Sequence, residues 1–443
     1  MPHPLEIELR HRISQDCWST AYPWKPEDWA QYLRPGNLEF RKGGRMSFYI
    51  HIPFCRNLCK FCEYTRCLVP DEQTQHNYLE IIHRDIRRFL MKYPDITLEG
   101  FDIGGGTPTA LSGDNFAYLM RIYSEVMQRV KVSDDFEPSI EASFKTITQD
   151  KIRMIRESGI RRISVGIQSL YFSKYMSGIG WRYPEAEEII GRIREIRNAG
   201  GFKINLDFMY GFKFQDAEEM HDRDRIAIER LLPDQVTLYE LRTNQLKDYE
   251  NCTPPDNRRF QYDGWYKILN GLGYLGHYGQ NTFSTDRHDF GVSSYIRHRM
   301  LDGGDYKGFG ISAQSMSDGN VEYNIGKNAT GILSLVPKGQ IPEDASFDAV
   351  DCYELPVNEK FAKFVCISAY SGGFNWRIAK KRFYPDFFER FGSTLDFLTD
   401  RNNIFDLGNI EITDDRINVT KDGFQHYGPL FSLFYHPELI TLK

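Results

Sequence analysis

The chain has 443 residues, 41% of them apolar and 26% charged, with a net charge of −6. That length allows one large domain with one or two smaller units, and the charge leaves no electrostatic footprint for nucleic acid or an anionic membrane. No run approaches the roughly 18 apolar residues of a membrane span, and the eight cysteines are too sparse for a secreted disulfide framework. The opening stretch MPHPLEIELRHR has no apolar leader segment, so a cytoplasmic location is expected. The 14% aromatic content suits either a large core or a pocket for a flat conjugated molecule, and the core is the commoner reason.

In chain order, residues 1–45 are polar, aromatic and proline-containing, and read as an N-terminal arm. From 46 to 325 short apolar runs alternate with amphipathic stretches, the pattern of a parallel α/β sheet. Strands are predicted at 48–52, 100–104, 139–143, 163–168, 203–209 and 235–241. A helix is predicted over 77–93, where Tyr78, Ile81, Ile82, Ile86, Phe89 and Leu90 recur at helical spacing. Another spans 149–158, with Thr148 as its cap and Gly159 as its stop. From 326 to 443 the pattern changes to a helix over 356–377, aromatic-rich helices to 398, a strand pair within 410–419 and a closing helix. This is the outline of a smaller, mainly helical, winged-helix-like C-terminal lid.

The chemistry-bearing residues gather at the predicted strand ends, where parallel α/β folds collect their sites. Just past the first strand, Cys55, Cys59 and Cys62 present three thiols as C-x3-C-x2-C. A four-iron cluster takes four thiolates, so three leave one iron open. Zinc with a distant fourth ligand, or packed thiols, are the alternatives. Zinc sites usually come as two knuckles, and the sequence has no second one. Cys67 is near enough to add a ligand; Cys17, Cys252, Cys352 and Cys366 are scattered singly. Gly104-Gly105-Gly106-Thr107 follows the second strand, and glycine permits close backbone approach. Glu141 and Asp207 end strands that are otherwise apolar, so each charge requires a partner.

The cysteine pattern resembles the signature of radical S-adenosylmethionine (SAM) enzymes. Six ordered motifs carry a closer resemblance: Tyr49 to Cys62, Gly104 to Thr109, Ser139 to Glu141, Ser164 to Ser169, Asn205 to Gly211, and Gly310 to Met316. Together with Trp18 to Pro23 they are similar to the oxygen-independent coproporphyrinogen III oxidase subfamily, which includes class C radical SAM methyltransferases. The resemblance implies a partial (β/α)6 barrel and a [4Fe-4S] cluster on Cys55, Cys59 and Cys62. It also implies two SAM molecules and an electron donor such as flavodoxin or ferredoxin. SAM contacts are implied for Tyr49, Phe61, Gly105, Gly106, Thr107, Glu141, Gln168, Arg182 and Asp207. The reaction implied is reductive cleavage of SAM to a 5′-deoxyadenosyl radical.

Four positions depart from the oxidase pattern. Tyr64 replaces a further cysteine, Glu240 a small residue, Gln314 an apolar residue and Lys213 a proline. They mark the region of the second SAM and the substrate, with Glu240 and Gln314 as candidate catalytic residues. The expectation drawn from them is alkylation, by methylation or cyclopropanation, of an unsaturated or aromatic small molecule. Haem ring opening or oxidative decarboxylation of a porphyrinogen is the alternative. A non-catalytic haem-binding or iron–sulfur protein is a third reading, against which the full set of SAM-contact residues argues.

Overall fold

The computed structural model describes residues 4–14, 26–59, 61–62, 64–170, 185–212, 217–241, 255–326, 331–400 and 409–435. Six parallel strands form its centre: β1 (Arg45–Ile52), β2 (Thr97–Gly105), β3 (Ser139–Ala142), β4 (Arg162–Gln168), β5 (Lys203–Tyr210) and β6 (Gln235–Glu240). They lie side by side in sequence order. A doubly wound sheet reverses its strand order to place helices on both faces. Here the order never reverses, so the crossover helices Glu72–Lys92, Gly113–Met127, Gln149–Ser158, Ala186–Ala199 and Ala217–Leu231 cover one face and the sheet curls around the other.

Strand alternation assigns the two faces. Phe48, Ile50, Phe101, Ile103, Val165 and Leu206 point toward the helices and are 0–1% exposed, each contributing about 1.5–3 kcal/mol by burial. The intervening residues, among them Tyr49, His51, Asp102, Glu141, Asp207 and Tyr239, face the interior. A hydrogen-bonded polar floor lies beneath them. The buried Arg162 donates to Gln235 at 2.6 Å and Ser139 at 3.0 Å, and Ser293 donates to Asp102 at 2.5 Å. Gly100 admits the plugging segment, since a Cβ there would stand 2.2 Å from the Tyr295 nitrogen.

The sheet continues beyond these six. β7 (Tyr306–Phe309) adds in parallel to β1, followed by antiparallel β8 (Gln314–Ser317), β9 (Asn320–Tyr323) and β10 (Asp351–Tyr353). Leu33–Pro35 pairs with β10, so part of the N-terminal arm is a strand of the main sheet. Two described side chains of the arm meet the C-terminal elements. Arg12 donates to Ser432 at 3.1 Å, and the Trp29 indole donates to Glu359 at 3.2 Å.

Helix 149–158 matches expectation, with Thr148 accepting from the Lys151 amide and Gly159 at φ 87°. The helix expected over 77–93 instead starts at Glu72, because Asp71 accepts from the Thr74 amide at 2.8 Å and caps it. The helix expected over 356–377 is broken. Val357–Ser368 ends at a turn through Gly372 (φ 76°), and Gly373–Asn375 becomes a strand before Trp376–Arg382 resumes as helix. A Cβ on Gly373 would lie 2.1 Å from the Ile417 carbonyl oxygen, so only glycine fits that pairing. Ile410–Ile412 and Arg416–Val419 complete this small antiparallel sheet, and Phe387–Thr399 and Tyr427–Ser432 pack around it through Phe374, Phe387 and Phe431. Among the described residues no helix is long and apolar enough to cross a membrane.

Candidate functional site

The cysteine loop leaves the carboxyl end of β1 and returns along it. The Cys67 amide bonds to the Pro53 carbonyl at 2.8 Å and the Val69 amide to the Cys55 carbonyl at 3.0 Å, closing the loop at its base. Inside, the Cys62 amide bonds to the Cys59 carbonyl at 3.1 Å. Arg66 then donates to the carbonyls of both Cys59 and Cys62, a clamp that the sequence reading missed. Burial, then the charges of the other two cysteines, push the Cys59 thiol up to about 11. Burial likewise raises Cys55, opposed by the Thr107 hydroxyl 3.6 Å from its sulfur. With Cys55 and Cys59 both pushed up, the thiols of this loop ionise together only when a cation replaces their protons.

The glycine run is built against this loop. A Cβ on Gly104 would stand 2.6 Å from the Glu141 carboxyl, one on Gly105 2.4 Å from the His51 ring, and one on Gly106 2.9 Å from the Cys55 sulfur. Each glycine therefore makes room for a neighbouring side chain, a tighter requirement than open backbone for a ligand. The Gly106 and Thr107 amides bond to the Ile52 and Phe54 carbonyls at 2.8 and 2.9 Å, locking the two loops together. Burial holds His51 down to about 4 and so neutral; its Nε2 donates to the Thr65 carbonyl at 2.8 Å. It braces the loop.

The other strand-end residues ring the chamber. Glu141 opens onto it while protein encloses it on all sides; its Oε2 accepts the Gly105 amide at 3.0 Å. Burial pushes its carboxyl up to about 7, helped by the charge of Asp207. Asp207 accepts from Ser164 at 2.9 Å and Asn205 at 2.7 Å, and burial raises its pKa. Its partners are thus a hydroxyl and an amide, with Arg162 supplying positive charge from the floor.

Gln168 sits at φ 61°, on a bulge between β4 and β5, with its amide folded over Gly166. That conformation costs a non-glycine residue about 1–3 kcal/mol. The buried Asp224 pins it from behind, accepting from the Leu170 amide at 2.6 Å and Ser169 at 2.8 Å. Tyr49 stacks on Tyr295 at 5.5 Å, and Phe61 meets Phe212 edge-on at 6.1 Å. Tyr64 and Tyr239 are 55% and 45% exposed.

The two candidate catalytic residues are already engaged. Glu240 forms a nearly buried ion pair with Arg258 at 3.3 Å. Gln314 accepts from Tyr306 and from Arg299 at 3.3 Å, and donates to Tyr323 at 2.7 Å. Arg182 and Lys213 lie outside the described residues. Arg162 had one signal in sequence, a charge opening an apolar strand; Arg66, Asp224 and Arg299 had none, because each acts through residues distant along the chain or on a loop without periodicity.

A sequence model of the Radical SAM superfamily matches residues 49–224, which contain the cysteine loop, the glycine run, Glu141, Gln168 and Asp207. The chain carries a radical SAM domain. The heme chaperone HemW of Haemophilus influenzae is 30% identical over 237 residues, 52% of this chain and 60% of that protein. The oxygen-independent coproporphyrinogen III oxidase of Salmonella typhimurium is 29% identical over 194 residues, 44% of this chain and 41% of that protein. The chain thus spans less than two thirds of the length of either. The solved structure of Escherichia coli coproporphyrinogen III oxidase superposes with a TM-score of 0.72 over 95% of this chain and 98% of that one, at 19% identity. The radical SAM fold therefore extends through the C-terminal elements.

A radical SAM domain takes a [4Fe-4S] cluster and SAM, and the donor set suits them. Three thiols share one loop, clamped by Arg66, and Gly106 keeps clear of the Cys55 sulfur, where a Cβ would stand 2.9 Å from it. Among the described residues, no three His, Cys, Asp or Glu side chains converge on a single metal ion, whereas a cluster takes each thiolate at a separate iron.

Proposed function

We propose that this radical SAM enzyme acts on a tetrapyrrole, either haem or a porphyrinogen. The observation that carries this reading is the likeness of the barrel to relatives named for coproporphyrinogen and for heme. The tyrosines of the chamber support it, offering flat, apolar surface with polar tips. Neither relative is named for alkylation, and Glu240 and Gln314 are held by Arg258 and by Tyr306, so the alkylation expected from those departures gains no support.

Cys55, Cys59 and Cys62 would hold the cluster, and Glu141, Gln168 and the glycine run would hold SAM. When bound, the two together supply one-electron cleavage of the sulfonium and a hydrogen-abstracting radical. Asp207 and Tyr239 face the remaining chamber, where the second SAM implied by the resemblance would lie. The protein's own task is to exclude water and orient the substrate. An external one-electron donor of flavodoxin or ferredoxin type completes the reading.

The test is anaerobic, reduced, cluster-reconstituted protein given SAM with coproporphyrinogen III or haem. The expected result is 5′-deoxyadenosine formation stimulated by one of them, without S-adenosylhomocysteine. No 5′-deoxyadenosine would remove the enzyme reading. S-adenosylhomocysteine formed with a substrate other than a tetrapyrrole would restore alkylation.

Glu141 supplies a pH signature within this reading. Its folded pKa of about 7 lies above the ordinary glutamate value of 4.5. The native state without ligand therefore holds this proton more tightly than the unfolded chain, and loses stability from this group as pH rises from 4.5 through 7. A cationic ligand favours the ionised form, so SAM affinity should rise from pH 6 to 8, by at most about tenfold per unit below the pKa. Glu141→Gln should flatten the profile at its low-pH level; an unchanged slope in an equilibrium binding titration would separate Glu141 from SAM.

A further inference from the structure

A guanidinium on the chamber wall has no assigned ligand. Arg299 lies in the π-helical turn Arg297–Leu301, a helix form that recurs at functional sites. Its charge rests over the rings of Tyr306 at 5.0 Å and Tyr295 at 5.9 Å, both 2% exposed. Arg299 itself is only partly covered. Its Nη2 donates to Gln314 at 3.3 Å and its Nη1 lies 3.4 Å from the Tyr295 hydroxyl, both long for charge-assisted bonds.

Among the described residues, no carboxylate comes within ion-pair distance of Arg299, and its Nε has no hydrogen-bond partner. Enclosing a guanidinium without a counter-charge costs free energy that a structural role does not return. The wall is arranged around it nonetheless. Tyr49 pairs with Gly308 and Gln314 with Tyr323, and the Tyr306–Met316 pairing between β7 and β8 puts these residues on one face. A Cβ on Gly308 would stand 2.4 Å from the Gln314 carbonyl oxygen, so glycine there lets β8 close on β7. Tyr295, which carries the guanidinium, stacks directly on Tyr49 in the strand that delivers Cys55. Gln314, whose replacement of an apolar residue marked it in the sequence, then acts as a positioning residue that orients Arg299.

The geometry points to Arg299 as the receptor for a substrate carboxylate, its unpaired edge completing a fork–fork pair while the tyrosines line the attached ring system. The identity of the acid rests on the tetrapyrrole reading, in which it is a propionate. A planar guanidinium on aromatic faces is preorganised for such an acid, and lysine would meet it only as a point charge.

The test compares haem with haem dimethyl ester in absorbance titrations of the full-length, cluster-loaded protein. Wild type should prefer the acid, and Arg299→Gln should weaken haem at least tenfold while leaving the ester within twofold. Equal weakening of both would be decided by Arg299→Lys: restored preference for the acid supports the assignment, and no preference overturns it. An unchanged haem affinity in Arg299→Gln also overturns it. Should wild type bind neither tetrapyrrole, 1-naphthoate against 1-naphthamide separates the two ideas. Arg299-dependent preference for naphthoate would keep the carboxylate receptor and discard only the tetrapyrrole; its absence would discard both.

Discussion

Cys59→Ala is expected to abolish both cluster assembly and SAM cleavage, with iron falling from about four per chain to background after anaerobic reconstitution. The reason is geometric. In the proposed assignment three thiols from one loop are the protein's share of the ligands, and the sequence has no fourth cysteine between Cys55 and Cys62 to take over. Cys67 is the nearest substitute in sequence, but it lies on the returning strand Cys67–Leu68, where its amide bonds to Pro53. Cys67→Ala should accordingly retain a full cluster, since that backbone bond survives the substitution. Iron content, the visible absorption of the oxidised cluster and 5′-deoxyadenosine yield report the outcome together. A full [4Fe-4S] spectrum in Cys59→Ala, or its loss in Cys67→Ala, would overturn the ligand assignment.

Gly105→Ala should damage both the stability of the barrel and its hold on the cluster. At φ 111° an L-residue is strained, at a cost of about 1–3 kcal/mol. The new Cβ would also stand 2.4 Å from the His51 ring, which is buried and tied to Thr65. Moving His51 releases the cysteine loop, so overpacking adds about 1–3 kcal/mol and the damage reaches the cluster. The expected result is a loss of roughly 3 kcal/mol or more in denaturant unfolding, with reduced iron retention. Gly191→Ala is the control: it lies in the helix Ala186–Ala199 with nothing within 4 Å, and should gain about 0.5–1 kcal/mol. Equal stability and iron content in wild type and Gly105→Ala would show that the glycine run is replaceable.

Both predictions separate what local pattern shows from what packing adds. The run Gly104 to Gly106 was visible as a motif, and its use was read as backbone approach to a ligand. The structure adds a separate partner for each glycine: Glu141 from β3, His51 from β1 and Cys55 from the loop. Those partners are between 36 and 55 residues away, and no periodicity relates residues at such distances. The same limit explains the broken helix at 356–377. Its apolar spacing was continuous, but Gly373 was already committed to pairing with Asn418, and only that pairing exposes the cost of a longer helix.

The C-x3-C-x2-C motif, the succession of six strands, the helical face of 77–90 and the capping at Thr148 and Gly159 were legible in the sequence by itself. All of these follow from spacing along a few consecutive residues, where backbone geometry alone sets the period. Tertiary structure alone decided how charges are disposed within the curled sheet: Glu240 paired to Arg258, Asp207 satisfied by Ser164 and Asn205, and Arg299 left over two tyrosines with its Nε unpartnered. A charge is spent or available according to what lies within about 4 Å of it, and that distance is set by folding.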